Sequence, residues 1–127
     1  MTDERIAQAL KRDRTIDITT IGRKSGQPRR IEIWFYRAGE RIYLSGGPGR
    51  RSWYANLLAN PEFTFHLKGS VRADLPARAT PVTDSGERRA VFTTILNDLR
   101  MSDKLEAWIA DSPLMEVEFM GNGATKK

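Results

Sequence analysis

The sequence predicts an antiparallel β-barrel with helices packed around it, mainly β with helices in the α+β class. Three observations carry that expectation. Six short segments alternate apolar and polar residues with a period of two. Most are joined by turns too short for the crossover a parallel pair would need. Helical periodicity is confined to the two ends and one insertion, instead of recurring between every pair of strands. The 127 residues suit one domain spanning the whole chain, with no linker long enough to divide it and no internal repeat.

From the start, residues 1–14 place Ile6, Ala9 and Leu10 at helical spacing among charged residues, which predicts a short amphipathic helix docked on the core. From Ile16 the period becomes two, with Ile16, Ile18 and Thr20 on one face. A connector follows, Gly22-Arg23-Lys24-Ser25-Gly26-Gln27-Pro28-Arg29-Arg30, and Ile31 to Arg37 then reads as the second strand of a basic hairpin. The turn Ala38-Gly39-Glu40 leads into a strand Arg41 to Ser45, where Ile42 and Leu44 alternate with Arg41 and Tyr43. Gly46-Gly47-Pro48-Gly49 cannot continue a strand. Ser52 can cap a helix whose apolar stripe is Trp53, Tyr54, Leu57 and Leu58, ended by Asn60-Pro61. Phe63, Phe65 and Leu67, then Val71, Ala73 and Leu75, mark two strands about Gly69-Ser70. Asp84 and Glu87 have the spacing of a capping box, and Val91, Phe92, Ile95, Leu96 and Leu99 form the buried face of the helix they open. Ser102 can cap a further helix through Leu105, Trp108 and Ile109. Met115, Val117 and Phe119 close the barrel, and residues 121–127 read as a frayed tail.

Composition removes several functions. There is no Cys and one His, His66, so disulfides, thiolate metal sites, cysteine nucleophiles and multi-histidine metal centres are excluded. Lys and Arg number 21 against 16 Asp and Glu, a formal charge of +5, which favours an anionic partner: nucleic acid, a membrane surface or a phosphorylated small molecule. The first residues carry no apolar stretch of a secretory signal and no long uncharged run stands elsewhere, so a soluble, cytoplasmic protein is expected.

Two segments can carry chemistry. Arg23, Lys24, Arg29 and Arg30 crowd the first connector with no acid among residues 22–30. Gly22 and Gly26 admit close backbone approach and Ser25 adds a hydroxyl. This is either a phosphate seat or a solvated basic turn. In residues 45–56 a glycine-rich loop runs into a helix start bearing Arg50, Arg51, Ser52, Trp53 and Tyr54, where a planar ring and a negative charge suit the bare backbone and the helix N-terminus. Core packing is the alternative for Trp53 and Tyr54. His66 reads as an exposed or hydrogen-bonded strand residue. Asp98, Asp103, Glu106 and Asp111 read as a solvated face. No P-loop ending and no glycine fingerprint after a strand is present.

Taken together, Thr19 to Arg29, then Leu44-Ser45-Gly46-Gly47, then Trp53-Tyr54-Ala55-Asn56-Leu57-Leu58-Ala59-Asn60-Pro61 resemble the deazaflavin-dependent nitroreductase family. The resemblance covers about residues 16–82 of the chain. It implies a split β-barrel like that of FMN-binding proteins and the cofactor coenzyme F420, an 8-hydroxy-5-deazaflavin that carries hydride. By the same resemblance Arg23, Lys24, Ser25 and Arg29 hold the cofactor's phosphate and acidic tail, and Arg30, Ile31, Glu32, Ile33 and Trp34 line its stem and ring. Ser45 and Gly46, with the backbone of Leu44, meet the ring edge, and Ser52, Trp53, Tyr54 and Asn56 close the site. The implied activity is hydride transfer between reduced deazaflavin and a small quinone-like, nitro or activated unsaturated acceptor.

The alternatives are an FMN-binding reductase of the same fold, a cofactor carrier without catalysis, and a nucleic-acid-binding barrel; with the family in view, no nucleic acid is expected. Peripheral membrane association stays open, and a homodimer is expected by analogy with related barrels. Many relatives carry a Lys after the serine of the third strand, where Gly46 stands, and their stretch equivalent to Gly47–Trp53 is longer. A Tyr and a Pro are common where Trp34 and Glu32 stand, and residues 85–127 contain no Tyr. A reshaped acceptor pocket follows, one not suited to nitroimidazoles.

Overall fold

The computed structural model describes residues 4–120; the first turn of the expected N-terminal helix and the expected tail, 121–127, lie outside the described residues. Six strands close one barrel, β1 (Thr15–Ile21), β2 (Pro28–Ala38), β3 (Arg41–Ser45), β4 (Glu62–Lys68), β5 (Arg72–Pro81) and β6 (Leu114–Phe119). Around the barrel the order is β1-β2-β3-β6-β5-β4, every pair antiparallel, with β4 returning to β1. Helices α1 (Glu4–Arg12), α2 (Ser52–Ala59), α3 (Ser85–Asp98) and α4 (Leu105–Asp111) pack on this frame.

Strand parity decides what fills the barrel, because alternate side chains point to opposite faces. Ile16 and Ile18, Phe35, Leu44, Phe63, Phe65, Leu67 and Met115 all point inward and are buried. Phe35 and Phe119 both meet the Phe65 ring edge-on, with centroids 5.3 and 5.1 Å away, a geometry aromatic quadrupoles favour. Helix α2 plugs one end of the barrel: Trp53 and Leu57 join this core while Leu58 stays 55% exposed. The expected stripe is therefore narrower, and its missing member faces solvent.

Tyr43, read as the polar side of β3, is buried. Its outward face is covered, because α3 and α4 lay a second apolar layer of Val91, Phe92, Ile95, Leu96 and Trp108 against Tyr36, Tyr43 and Leu114. Both ends of β2 are longer than the residue pattern suggests. Pro28 pairs with Ile21 as the first residue of its strand, the place where a missing N–H costs least. Strand β5 does not stop at Leu75. It pairs with β4 up to Arg78 and with β6 from Ala77 to Pro81, and the carbonyl of Pro76 still accepts from the Met120 N–H at 2.9 Å. At the helix starts, Asp84 caps α3 as expected, accepting from the Glu87 N–H at 2.8 Å. Ser52 is no cap: Arg51 holds the N-cap position of α2 without a side-chain bond, and Ser52 is the first helical residue. Nor does Ser102 cap; it opens a short 3₁₀ turn, Ser102–Lys104, that precedes α4.

Candidate functional site

The basic connector folds into a tight turn between β1 and β2. The Gly22 N–H donates to Gln27 O and the Gly26 N–H to Gly22 O, both at 2.9 Å. The two glycines serve the turn differently: the backbone of Gly26 is left-handed, whereas a side chain at Gly22 would displace the Ser25 hydroxyl. Gly26 has φ +70°, and a Cβ on Gly22 would sit 2.6 Å from Ser25 Oγ. That Oγ accepts from the Gln27 N–H at 3.1 Å.

Asn56, buried on α2, ties this turn to the barrel end. Its Oδ1 accepts from both the backbone N–H and the guanidinium of Arg23 at 3.1 Å, and its Nδ2 donates to Thr20 Oγ1 at 3.3 Å. Between the turn and the start of α2 lies a cavity of about 420 Å³ lined by Thr20, Gly22, Arg23, Lys24, Ser25, Arg29, Ile31, Ser52, Trp53 and Asn56. Among the described residues Arg23, Lys24 and Arg29 make no ion pair, whereas Arg30, Arg41, Lys68, Arg78 and Arg89 each meet a carboxylate. The three cations on the cavity rim thus have no carboxylate partner and are open to an anion from outside. Opposite them α2 starts without a side-chain cap, so its first N–H groups and positive dipole end also favour negative charge.

The cavity unites part of the set read from the sequence. Arg29 and Ile31 point toward it because they share parity with Thr20 and Ile18, their partners on β1. Ile33 has the same parity but packs against the barrel core. Arg30, Glu32 and Trp34 point the other way, onto the outer face, so the expectation that they line the same seat meets the opposite side of β2. There Arg30 Nε bonds Asp17 at 2.9 Å, Glu32 pairs with Lys68, and Trp34 lies under the Arg14 guanidinium at 5.5 Å. The Leu44 side chain is in the core. Ser45 is buried and donates its hydroxyl to Pro113 O at 2.6 Å. Gly46 starts the loop that Arg51 braces by donating from Nη2 to Gly47 O at 3.0 Å. Tyr54 faces a second cavity on the other side of α2.

The outer face carries its own polar network. His66 is hydrogen-bonded, as one of its two expected readings has it: Nε2 lies 2.7 Å from Thr19 Oγ1, and Nδ1 lies 2.7 Å from Asp74 Oδ1. None of the three lines the basic cavity. Asp17, between Lys68 at 2.7 Å and Arg30, is held below the usual 3.8, chiefly by the hydrogen bond from Lys68. A depressed carboxylate pKa adds stability that is complete above the unfolded value and disappears as pH falls through the folded one. Asp17→Asn is therefore expected to destabilise the protein at neutral pH and to converge on wild type only as pH falls through the lowered folded pKa of Asp17. Urea midpoints followed across that range check this; a pH-independent difference would contradict it.

Arg88 was missed by the sequence reading. It lies on α3, and its guanidinium donates to the carbonyls of Val82, Trp108, Ile109 and Ser112 at 2.7–3.2 Å. The only signal was indirect: α4 has no basic residue in its last turn.

The sequence matches, over residues 1–110, the model of the family described as F420H(2)-dependent quinone reductase. Among solved structures, a conserved hypothetical protein from Mycobacterium tuberculosis is similar with a TM-score of 0.76 and 17% identity over 95% of this chain and 82% of that one. An F420-H2 dependent reductase gives 0.61 and 20% identity over 84% and 95%. A FAD-binding protein from Mesorhizobium loti gives 0.69 and 16% over 95% and 91%. At these identities the likeness is one of fold, the split barrel of FMN-binding-like proteins.

Proposed function

The chain belongs to the F420H(2)-dependent quinone reductase family, and from that premise and the geometry of the cavity we propose that it binds coenzyme F420 between the first hairpin turn and α2 and reduces a small organic acceptor. The observation that carries this reading is the set of three cations, Arg23, Lys24 and Arg29, gathered without carboxylate partners on one rim of a cavity of about 420 Å³. Charge-assisted hydrogen bonds contribute about 1.5–3 kcal/mol each, so two or three suffice to hold a phosphodiester and its acidic tail. When bound, the deazaflavin supplies the hydride.

The chain's own residues then have positioning work. Lys24 and Arg29 hold the anionic tether, and Asn56 fixes Arg23 against α2. Gly22 keeps the backbone open to close approach. Trp53 and Ile31 offer apolar wall, excluding water from one side of a planar ring. Ser25 retains its hydroxyl hydrogen for the phosphate, since its oxygen serves Gln27 as an acceptor. With its hydroxyl committed to Pro113, Ser45 does not donate to the ring edge; the bare backbone at Gly46 is the better candidate for that contact. Orientation of this kind is the larger part of what a protein contributes to a cofactor reaction. The acceptor class that suits this reading is quinone-like, nitro or activated unsaturated.

Fluorescence titration with oxidised deazaflavin tests the reading. Binding in about the micromolar range or tighter is expected, with FMN at least about tenfold weaker because its tether lacks the acidic tail. Equal or tighter FMN binding would refute it.

A further inference from the structure

One side-chain array on the outer face of the barrel has no part in binding the cofactor. Thr19 on β1, His66 on β4 and Asp74 on β5 share that face, and two hydrogen bonds of 2.7 Å join them in a row. We propose that this row is a second reactive site, in which the Thr19 hydroxyl is a nucleophile activated by His66 and takes an acyl group from an aryl ester.

The proton positions follow from Asp74. The hydrogen bond from His66 holds its carboxyl below the usual carboxylate range, so at neutral pH it is ionised and can only accept. The ring proton therefore sits on Nδ1. A neutral ring then turns the Nε2 lone pair to Thr19, whose hydroxyl donates to it. A hydroxyl bonded to a base that a third group orients is the arrangement that makes an alcohol nucleophilic.

The surroundings suit that role. The His66 side chain is 8% exposed, so little water competes for Nε2. Thr19 is half-buried, and because its backbone is paired to β2 on one side and β4 on the other, what it shows to solvent is mostly side chain. Arg30 stands directly across the ladder from Thr19, where Cβ atoms on one face are about 5 Å apart. Its Nε is bonded to Asp17 and its side chain is 52% exposed, so a guanidinium lies beside the place where an oxyanion would form.

In the step proposed, Thr19 Oγ1 bonds to the acyl carbon as its proton passes to His66 Nε2. The bond from that carbon to the aryl oxygen breaks, the phenolate leaves with the electron pair, and the imidazolium returns its proton to solvent. Water then adds to the acyl-threonine, giving a proton to His66, which delivers it to the departing Thr19 oxygen. None of the three residues lines either large cavity. An open face of this kind selects on leaving-group reactivity more than on shape, and a short acyl chain on a phenol is the class that fits.

4-Nitrophenyl acetate tests this on the untagged protein. A burst of 4-nitrophenolate is expected, with an acetyl group located by peptide mass at Thr19 and removed by hydroxylamine, which cleaves an ester and spares an acetylated lysine. Thr19→Val abolishes the burst, and Thr19→Ser retains it. His66→Gln, which can still bond the hydroxyl, slows acylation about a hundredfold. Asp74→Asn slows it about tenfold or more, because the amide can donate to Nδ1 and leave the proton on Nε2. His66 is the only histidine in the chain, so nitrogen NMR reads that change of tautomer directly. A role in stability alone would shift Tm without changing the rate at which Thr19 is acylated. No burst from wild type or Thr19→Ser overturns the proposal, as does a burst that survives in Thr19→Val or acetyl groups found only on His66 or lysines.

Discussion

Arg88→Ala is expected to lower the free energy of unfolding by about 3–5 kcal/mol, since it removes four hydrogen bonds from a charged donor, a kind that contributes about 1.5–3 kcal/mol each and is not fully additive. The reason lies in what Arg88 holds. A helix ends with carbonyls that have no N–H of its own to meet, and α4 carries no basic residue in its last turn. Arg88, reaching from α3, donates to Trp108 O, Ile109 O and Ser112 O at that end, at 3.2, 3.0 and 2.7 Å, and to Val82 O just past β5 at 3.0 Å. The same guanidinium lies 5.3 Å from the Phe92 ring centroid, above the outer apolar layer. One planar fork therefore joins two helices and the end of a strand, which a lysine's single ammonium cannot reproduce. Arg88→Lys should recover less than half of the loss. Urea unfolding measures both variants; a change under about 1 kcal/mol for the alanine variant would mean that water replaces the guanidinium without cost.

The second large effect concerns binding. Lys24→Ala combined with Arg29→Ala is expected to weaken deazaflavin binding about a hundredfold, roughly tenfold for each charge after allowing for solvent screening at exposed positions. Wild-type affinity should fall with added salt and that of the double variant should scarcely respond. Because neither side chain makes an ion pair among the described residues, folding stability should change by less than about 0.5 kcal/mol. Arg41→Ala with Arg89→Ala removes the same net charge from sites paired to Glu116 and Glu106, so it separates a local clamp from a general field. If that control weakens binding as much as the first pair does, the clamp is wrong.

Much of the site was legible in the chain because it is local. The turn from Gly22 to Gln27 is built from neighbours in sequence, and its glycines, its serine and its cations announce it without reference to the rest of the fold. The same holds for the Asp84 cap and for the alternation in β1, β3 and β6, where polarity repeats at the spacing of the pleat. What stayed hidden is what depends on which face meets which. Alternation says that Arg29 and Arg30 point apart; it does not say which of them meets the cavity, and only closure of the barrel with α2 in its mouth turns Arg29 and Ile31 inward and sends Arg30, Glu32 and Trp34 outside.

By itself, then, the sequence determined the strands, the helix-forming segments, the basic turn and the family resemblance, all properties of short-range pattern. The tertiary structure alone decided the strand order that returns β4 to β1, the burial of Tyr43 beneath a second layer, the four-carbonyl role of Arg88 and the unpartnered hydroxyl of Ser112. Each of these requires residues tens of positions apart to share a few ångströms. Long-range contact of that kind is set by the packing of whole elements, and no local spacing encodes it.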